Sequence, residues 1–227
     1  MSIKFNAKEL ILFDLDGTLI DSAPDLALAV NHTLKILNLC AFDESVIRSW
    51  VGNGAQTLVK RALSGKSEID ANIDEALFAK ALDVFLNFYK DNLCVKTITY
   101  PNVVSTIAAL KTRGYRLVIV TNKPYDFIEP ILKGLNLDGV FELSLGGDSL
   151  SSRKPDPQPL LYACEKLNVS VEKTIMIGDS KNDILAAKAA GMDSIGVSYG
   201  YNYGEDIGIY EPDAVVDDFG DILKSFN

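Results

Sequence analysis

The stretch ELILFDLDGT, residues 9–18, joins an apolar run to two closely spaced aspartates. The residues from Glu9 to Phe13 have the length and composition of a short buried strand. Asp14 and Asp16 follow directly, and Gly17 comes next. Aspartate and glycine are common turn residues, so this stretch taken alone is compatible with a simple turn at the end of a strand. Whether the two carboxylates do chemistry depends on which other groups the chain brings to the same place.

Beyond residue 100, the sequence alternates between two kinds of apolar pattern. Segments with helical spacing separate five further runs that are typical of strands: YRLVIV (115–120), ELSL (142–145), TIMI (174–177), SIGV (194–197) and AVV (214–216). Alternation of strands and helices indicates a parallel sheet that is covered by helices on both faces. The predicted fold class is therefore α/β, with a doubly wound parallel sheet.

Between the first two strands the pattern is helical throughout. Ser22 has the character of an N-cap, and Asp25, three residues later, predicts a variant of the capping box. Apolar stripes at helical spacing continue as far as Tyr89 and are interrupted by Gly52-Asn53-Gly54. The sequence thus predicts an all-helical domain, residues 21–95, inserted into an α/β core domain made of residues 1–20 and 96–227.

The composition narrows the possible partners. The chain has 22 basic and 31 acidic residues and a formal net charge of -9. Nucleic acids and anionic membranes favour basic surfaces, so we expect neither as a partner. A small anionic substrate that is held by a few local groups remains compatible with this charge.

The cysteines and the N-terminal residues indicate a cellular compartment. The cysteines are Cys40, Cys94 and Cys164, and their spacing fits neither a zinc site nor a secreted disulfide framework. The first residues lack the pattern of a signal peptide, and no apolar stretch is long enough to span a bilayer. We therefore expect a cytoplasmic protein with reduced thiols.

Polar residues follow the predicted strands at the edge where open α/β sheets bind ligands. They are Asp14 and Asp16, then Thr121, Asn122 and Lys123, then Gly178, Asp179, Ser180 and Asp183, with Lys154 in the loop SSRKPDP (151–157). Each has an ordinary explanation, since Ser180 could cap a helix and Lys154 could be a solvated lysine. Their arrival at one edge nevertheless predicts a functional site.

The charges of these residues indicate a metal ion. Four carboxylates in one pocket raise each other's pKa and resist ionisation, and Lys154 supplies only one positive charge. A set of oxygen ligands suits Mg²⁺, a hard cation that binds carboxylates and substrate phosphates. The only histidine, His32, lies within a predicted helix and cannot complete a histidine-based site.

The four loops, in this order, resemble the motifs of the haloacid dehalogenase superfamily of phosphohydrolases. The matching segments are DLDGT (14–18), Thr121 in VTN, Lys154 in RKP, and GDSKND (178–183). The resemblance covers nearly the whole chain and implies a Rossmann-like core, with the helical insert as a cap domain. The stretches WVGNGA (50–55) and YGYNYGE (199–205) are similar to those of the bacterial phosphoglycolate phosphatases.

The resemblance implies a role for each carboxylate. Asp14 would be the nucleophile that forms an aspartyl-phosphate, and Asp16 would be the general acid and base. Mg²⁺ would be bound by Asp14, by the main-chain carbonyl of Asp16 and by Asp179. Asp183 would hold a metal-bound water or support the metal ligands from the second shell.

The remaining motif residues would bind the phosphoryl group. The resemblance gives this role to Thr121, Asn122 and Lys154, and Lys154 would also keep Asp14 ionised. The function that the resemblance implies is Mg²⁺-dependent hydrolysis of a small phosphomonoester, with 2-phosphoglycolate as the expected substrate. The enzyme would act as a monomer or a homodimer.

Several alternatives remain open at this point. One is a phosphatase that acts on another small phosphate ester, and another is a phosphotransferase of the β-phosphoglucomutase type. A signalling receiver domain also gathers acids, a threonine and a lysine around Mg²⁺, but it has no cap and phosphorylates an aspartate after a later strand. Gly65-Lys66-Ser67 has the form of the end of a P-loop, but Lys60 stands where the leading glycine of that motif is required.

Overall fold

The computed structural model describes residues 4–226. Its strands are β1 (Leu10–Phe13), β2 (Ile20–Asp21), β3 (Ile98–Thr99), β4 (Arg116–Val120), β5 (Leu143–Leu145), β6 (Thr174–Gly178), β7 (Asp193–Val197) and β8 (Ala214–Val216). Its α-helices are α1 (Ala23–Ile36), α2 (Glu44–Arg48), α3 (Ala55–Ser64), α4 (Glu75–Asp91), α5 (Val103–Thr112), α6 (Ile128–Gly134), α7 (Gln158–Leu167) and α8 (Lys181–Ala190).

Six of the strands form one parallel sheet, in the order β5-β4-β1-β6-β7-β8. The strand β1 lies in the middle of the sheet, between β4 and β6, and all four of its residues are buried. This result confirms the predicted α/β class and every strand that was predicted from an apolar run.

The two faces of the sheet are covered by different helices. Leu10 and Leu12 of β1 pack into a cluster with residues of α7 and α8, whereas Ile11 and Phe13 belong to the cluster on the other face, which includes α5 and α6. This alternation follows from the two-residue period of a strand. Burying a large aliphatic side chain contributes roughly 1.5–3 kcal/mol, so the central strand anchors both layers.

The helices α1 to α4 form the predicted insert between β1 and the rest of the core. Two short strands that were not predicted, β2 and β3, pair antiparallel where the chain enters and leaves the insert. They join Asp21 to Ile98 and Ile20 to Thr99. Strands of two residues are too short to show a hydrophobic period, so they could not be predicted from the sequence.

The capping box predicted at the start of α1 is wrong. Ser22 makes no capping bond to the helix, because its Oγ donates to Asp16 Oδ1 at 2.6 Å. Asp25 instead accepts hydrogen bonds from the backbone N–H groups of Lys96 and Thr97 and from the Thr97 hydroxyl, at 2.7–2.9 Å. Both side chains are therefore used in long-range contacts that a local sequence pattern cannot reveal.

Two further features concern the helices. Near the C-terminus, residues Phe219–Lys224 form a 3-10 helix. His32, in α1, stacks on Phe88 with the ring centroids 4.0 Å apart. Within residues 4–226, no helix combines the length and the apolar character that a membrane span requires.

Candidate active site

The loops at the carboxyl edge of the sheet bring the predicted site residues together. Phe13 of β1 pairs with Ile119 of β4 and with Ile177 of β6, so the residues that follow these three strands emerge side by side. The side chains of Asp14, Thr121 and Asp179 are buried at this edge, as are those of Asn122, Lys154, Ser180 and Asp183.

Lys154 lies between two carboxylates. Its Nζ is 2.5 Å from Asp183 Oδ1 and 3.0 Å from Asp14 Oδ1, and the side chain is only 2% exposed. Burial alone would lower the pKa of the Lys154 ammonium, but Asp14 and Asp183 outweigh it and raise the pKa above the ordinary value. Lys154 is therefore a fixed positive charge next to the predicted nucleophile.

Asp179 is held from two sides. Thr18 Oγ1 donates to its Oδ1 at 3.0 Å, and the backbone N–H of Tyr201 donates to its Oδ2 at 2.7 Å. Gly17 and Gly200 both pack directly against this carboxylate, and a Cβ atom at either position would overlap it. The surroundings of Asp179 therefore fix the direction of its side chain.

Asp183 lies in the first turn of α8. Its Oδ2 accepts hydrogen bonds from the backbone N–H and the hydroxyl of Ser180, at 3.0 and 2.8 Å, and its Oδ1 accepts one from Lys154. Ser180 therefore caps the helix, as its sequence position suggested, and the Asp183 that completes this cap also contacts Lys154 of the candidate site. Asp183 positions Lys154 and the turn that follows β6.

Three carboxylates form a cluster that fits a divalent cation. One oxygen from each of Asp14, Asp179 and Asp183 lies within 4.8 Å of the others. Among residues 4–226, Asp14 Oδ1 is buried and accepts no well-formed hydrogen bond, although Lys154 lies close to it. An orphaned buried oxygen in an all-oxygen donor set is the arrangement that Mg²⁺ would satisfy.

The pKa values in this cluster indicate a shortage of positive charge. Burial raises the pKa of Asp14 to about 6; Lys154 opposes this rise, and Asp183 adds to it. Burial, together with Asp14 and Asp183, raises the pKa of Asp179 well above its usual range. A bound divalent cation would reverse both shifts because it favours the ionised carboxylates.

The carboxylate of Asp16 lies outside this cluster. It accepts hydrogen bonds from Ser22 Oγ and, at 3.0 and 3.1 Å, from Lys123 Nζ. The predicted roles require the Asp16 side chain to point away from the metal and the backbone carbonyl to face it. The contacts with Ser22 and Lys123 are consistent with that requirement.

Thr121 and Asn122 follow β4, and they differ in whether their side chains are free to donate a hydrogen bond to a ligand. The hydroxyl oxygen of Thr121 accepts a hydrogen bond from the Lys123 backbone N–H at 3.3 Å, which leaves the hydroxyl hydrogen available to a ligand. The amide group of Asn122 donates to the carbonyls of Gly52 and Lys154, at 3.1 and 3.0 Å. Phosphate binding by Asn122 would therefore have to use its backbone N–H.

Comparison with known proteins agrees with this geometry. The family model described as haloacid dehalogenase-like hydrolase matches residues 11–197. The chain belongs to this family. It is 56% identical over 223 residues to the phosphoglycolate phosphatase of Colwellia psychrerythraea, covering 98% of this chain and 99% of that one.

This haloacid dehalogenase-like hydrolase is also similar to other proteins in sequence and in structure. The phosphoglycolate phosphatase of Psychrobacter arcticus is 48% identical over 217 residues, with 95% of this chain and 94% of that one covered. The crystal structure of a predicted phosphoglycolate phosphatase from Haemophilus somnus 129PT has a TM-score of 0.90 and 43% identity, covering 96% of this chain and 98% of that one. These matches confirm the resemblance of the four motifs to the haloacid dehalogenase superfamily.

The helical insert of this haloacid dehalogenase-like hydrolase closes over the site. The carbonyl of Gly52, in the loop before α3, accepts hydrogen bonds from Asn122 and Asn182, both at 3.1 Å. Tyr203 OH accepts another hydrogen bond from Asn182, at 2.9 Å. Asn122, in the loop after β4, and Asn182, in the first turn of α8, are thus both bonded to one carbonyl of the insert.

The insert and the core enclose a small cavity of about 30 Å³. Asp14, Asp16, Thr121, Asn122 and Lys123 line it from the core, and Gly52, Leu58, Phe85 and Tyr89 are among the residues that line it from the insert. A wider groove of about 690 Å³ lies outside it and includes Lys90 and Arg153.

Sequence reasoning placed Lys123 at this edge but gave it no role, and it missed Tyr89. Lys123 donates from its Nζ to Tyr89 OH at 2.8 Å as well as to Asp16. Lys123 looked like one more polar residue of a loop, and Tyr89 looked like part of an apolar helical stripe. Only the tertiary structure shows that both are almost fully buried beside Asp16.

The surroundings of this pair shift both pKa values. Burial would lower the pKa of the Lys123 ammonium, but Asp16 and Tyr89 together outweigh it, so the pKa lies above the usual value. Burial raises the pKa of the Tyr89 hydroxyl to about 12, against the opposing effect of Lys123. At neutral pH the pair therefore consists of an ammonium ion and a neutral phenol.

Proposed function

We propose that this protein is a Mg²⁺-dependent phosphatase that hydrolyses 2-phosphoglycolate to glycolate and phosphate through an aspartyl-phosphate. The observation that carries the proposal is the buried cluster of Asp14, Asp179, Asp183 and Lys154 at the carboxyl edge of the sheet. Relatives with 43–56% identity over nearly the full length are named phosphoglycolate phosphatase, which supports the choice of substrate.

In the first step, a carboxylate oxygen of Asp14 attacks phosphorus and the bond from phosphorus to the leaving oxygen breaks. Asp16 donates its proton to that oxygen, so glycolate leaves as an alcohol. Lys154 and the Thr121 hydroxyl bind phosphoryl oxygens and stabilise the charge that develops on them. The groups that hold Asp16 in place are Ser22 and Lys123.

In the second step, Asp16 takes a proton from a water molecule whose oxygen attacks phosphorus. The bond between phosphorus and Asp14 breaks, free phosphate leaves, and Asp14 returns as a carboxylate. Asp14, Asp179 and the backbone carbonyl of Asp16 would hold the Mg²⁺ ion. When bound, this ion neutralises charge on the phosphoryl group and on the carboxylates.

We propose residues 21–95 as the cap domain, and residues 1–20 and 96–227 as the core domain. Pairing of β2 with β3 and the bonds from Asp25 to residues 96 and 97 support boundaries at these positions. Closing the cap would exclude bulk water from the aspartyl-phosphate. We further propose a cytoplasmic enzyme that acts as a monomer or a homodimer, in keeping with its three free thiols.

Phosphate release from a panel of small phosphate esters, with and without a chelator, tests the proposed function. We expect 2-phosphoglycolate to be the best substrate, activity to disappear with the chelator, and Asp14→Asn to be inactive. Full activity of Asp14→Asn would contradict the role of nucleophile. A clear preference for hexose phosphates would contradict the substrate, and isomerisation of sugar phosphates with little free phosphate would indicate a mutase instead.

A further inference from the structure

Lys123 and Tyr89 lie next to the general acid, and the mechanism above gives them no contact with the substrate. They come from different parts of the fold, because Lys123 follows β4 of the core and Tyr89 lies in α4 of the insert. Both side chains are buried and line the inner cavity. Burying an ammonium ion is costly, so its retention at this point calls for an explanation.

The charges of the residues that line the cavity explain why a buried ammonium ion is needed there. Among the described residues that line it, Lys123 is the only cation, whereas Asp14 and Asp16 are both acids. A substrate that carries a carboxylate in addition to its phosphate would be repelled by these acids in a low-dielectric pocket. A buried carboxylate also needs a charged or hydrogen-bonding partner, and the Lys123 ammonium is the partner at hand.

The position of Lys123 matches the place where such a carboxylate would lie. Its Nζ is 3.0 Å from Asp16 Oδ1, and Asp16 is the group that protonates the leaving oxygen. In a 2-phosphoester of glycolate, the carboxylate is separated from that oxygen by a single methylene group. A carboxylate so close to the leaving oxygen falls next to the ammonium that contacts Asp16.

Tyr89 contributes a second donor. Its oxygen accepts the hydrogen bond from Lys123, and within residues 4–226 its own hydroxyl hydrogen has no protein acceptor. The ring is fixed, because it stacks on Phe85 at 5.7 Å and meets the edge of Phe127 at 5.2 Å. A rigid phenol next to an ammonium ion can donate to a carboxylate at little cost in conformational entropy.

We propose that Lys123 and Tyr89 bind the carboxylate of the leaving group and so determine specificity for short phosphate esters that carry an acid. This inference rests on the proposed phosphatase function and adds the residues that select the substrate. The cap delivers Tyr89 and the core delivers Lys123, so the carboxylate is bound fully only when the two domains are closed.

The test compares two substrates that differ only in the acid group. These are 2-phosphoglycolate and ethyl phosphate, whose leaving groups have the same number of carbon atoms. For Lys123→Met, we expect kcat/KM for 2-phosphoglycolate to fall roughly 10- to 150-fold more than kcat/KM for ethyl phosphate, the range for a hydrogen bond to a charged group. Tyr89→Phe should reduce the same preference by several-fold, and its close similarity in shape to tyrosine makes it informative even if Lys123→Met does not fold.

Lys90→Met is the matched control. Lys90 is an exposed cation on α4, one residue from Tyr89, and it lines the outer groove but not the inner cavity. Its loss should leave both the activity and the preference between the two substrates unchanged. If its loss reduced the preference as much as Lys123→Met does, a general effect of positive charge would replace the proposed contact.

Two results would overturn the inference while leaving the phosphatase function in place. One is an equal loss on both substrates in Lys123→Met, which would mean that Lys123 only positions Asp16. The other is a wild-type enzyme that hydrolyses ethyl phosphate as well as it hydrolyses 2-phosphoglycolate. A wild-type enzyme that releases no phosphate from either ester would instead contradict the proposed function, and the inference with it.

Discussion

The side chain of Asp179 is held in one orientation by hydrogen bonds and by close packing. Thr18, Tyr201 and two glycines enclose its carboxylate, and Gly17 also has a φ of +89°, which favours glycine. A position that combines a left-handed backbone with a close approach to a carboxylate tolerates no side chain. Gly17 of the DLDGT motif is therefore required by the buried carboxylate of Asp179 as much as by the turn.

Gly17→Ala should disrupt the close packing of residue 17 against the Asp179 carboxylate. The added Cβ would overlap the Asp179 carboxylate, so we expect at least a 100-fold loss of Mg²⁺-dependent activity and weaker Mg²⁺ binding. Gly114→Ala is the control, because Gly114 has nearly the same φ, +88°, and nothing within 4 Å of an added Cβ. Steady-state kinetics over a range of Mg²⁺ concentrations would measure both. Equal effects of the two substitutions would show that backbone strain alone is responsible.

The raised pKa of Asp14 predicts how the stability of the metal-free protein depends on pH. The folded protein holds the Asp14 proton up to about pH 6, whereas the ordinary value is 3.8. A group whose pKa is higher in the folded state stabilises the fold at low pH, and this contribution is lost as the pH rises through the folded value. Thermal unfolding in chelator should therefore show the melting temperature falling between about pH 4 and pH 6. A melting temperature that rises across this range would contradict the prediction.

Removing one carboxylate should relieve the repulsion among the buried carboxylates of Asp14, Asp179 and Asp183. Asp179 has a raised pKa because of its burial and its neighbours Asp14 and Asp183, so Asp179→Asn should stabilise the metal-free protein at neutral pH. For a chain of this size, each kcal/mol shifts the melting temperature by roughly 2–4 °C. Mg²⁺ should stabilise the wild type but not this variant. Stabilisation of both proteins by Mg²⁺ to the same extent would place the ion elsewhere.

At the scale of elements, the junction between core and insert depends on Asp25 of α1. This fully buried carboxylate accepts hydrogen bonds from Lys96 and Thr97, which lie where the chain returns to the core. It thereby connects the first helix of the insert to the strand that leaves it. Tyr201 contacts the same region from the core, since its hydroxyl accepts hydrogen bonds from the backbone N–H groups of Ser22 and Ala23.

Asp25→Ala should destabilise this junction. Several buried donors would lose their acceptor, and each unsatisfied donor costs about 1–3 kcal/mol, so we expect the free energy of unfolding to fall by about 2–4 kcal/mol. Urea denaturation would measure the change. Asp83→Ala, which removes an exposed acid from α4, should change stability by less than about 0.5 kcal/mol. A similar loss in both variants would mean that net charge, not the buried contacts, is responsible.

The strands of the core could be predicted from the sequence because apolar runs and turn residues mark them locally. The residues of the candidate site could be placed together because parallel strands bring their carboxyl ends to one edge of the sheet. These residues include Asp14, Thr121, Lys154 and Asp179. Contacts that cross between domains could not be predicted in this way. Ser22 and Asp25 had the pattern of a cap, but partners distant in the sequence use both side chains.

At the scale of the whole molecule, the core carries the acidic cluster and the insert helps to line the cavity beside it. Asn122, in the loop after β4, and Asn182, in the first turn of α8, both donate to the carbonyl of Gly52 in the insert. Lys123 and Tyr89 make a further contact between core and insert beside Asp16. The insert is therefore hydrogen-bonded directly to core residues that contact Lys154 and Asp16.

In the proposed mechanism, Asp14 carries the phosphoryl group during turnover. Asp16→Asn lacks the base for the second step, and p-nitrophenyl phosphate has a leaving group that needs no proton, so the two together should accumulate the aspartyl-phosphate. The measurement is peptide mass spectrometry after an acid quench of this variant with p-nitrophenyl phosphate and Mg²⁺. We expect a phosphoryl group on Asp14, formed in step with a stoichiometric burst of p-nitrophenolate. A burst with no phosphoryl group on Asp14, or with the group on another residue, would contradict it.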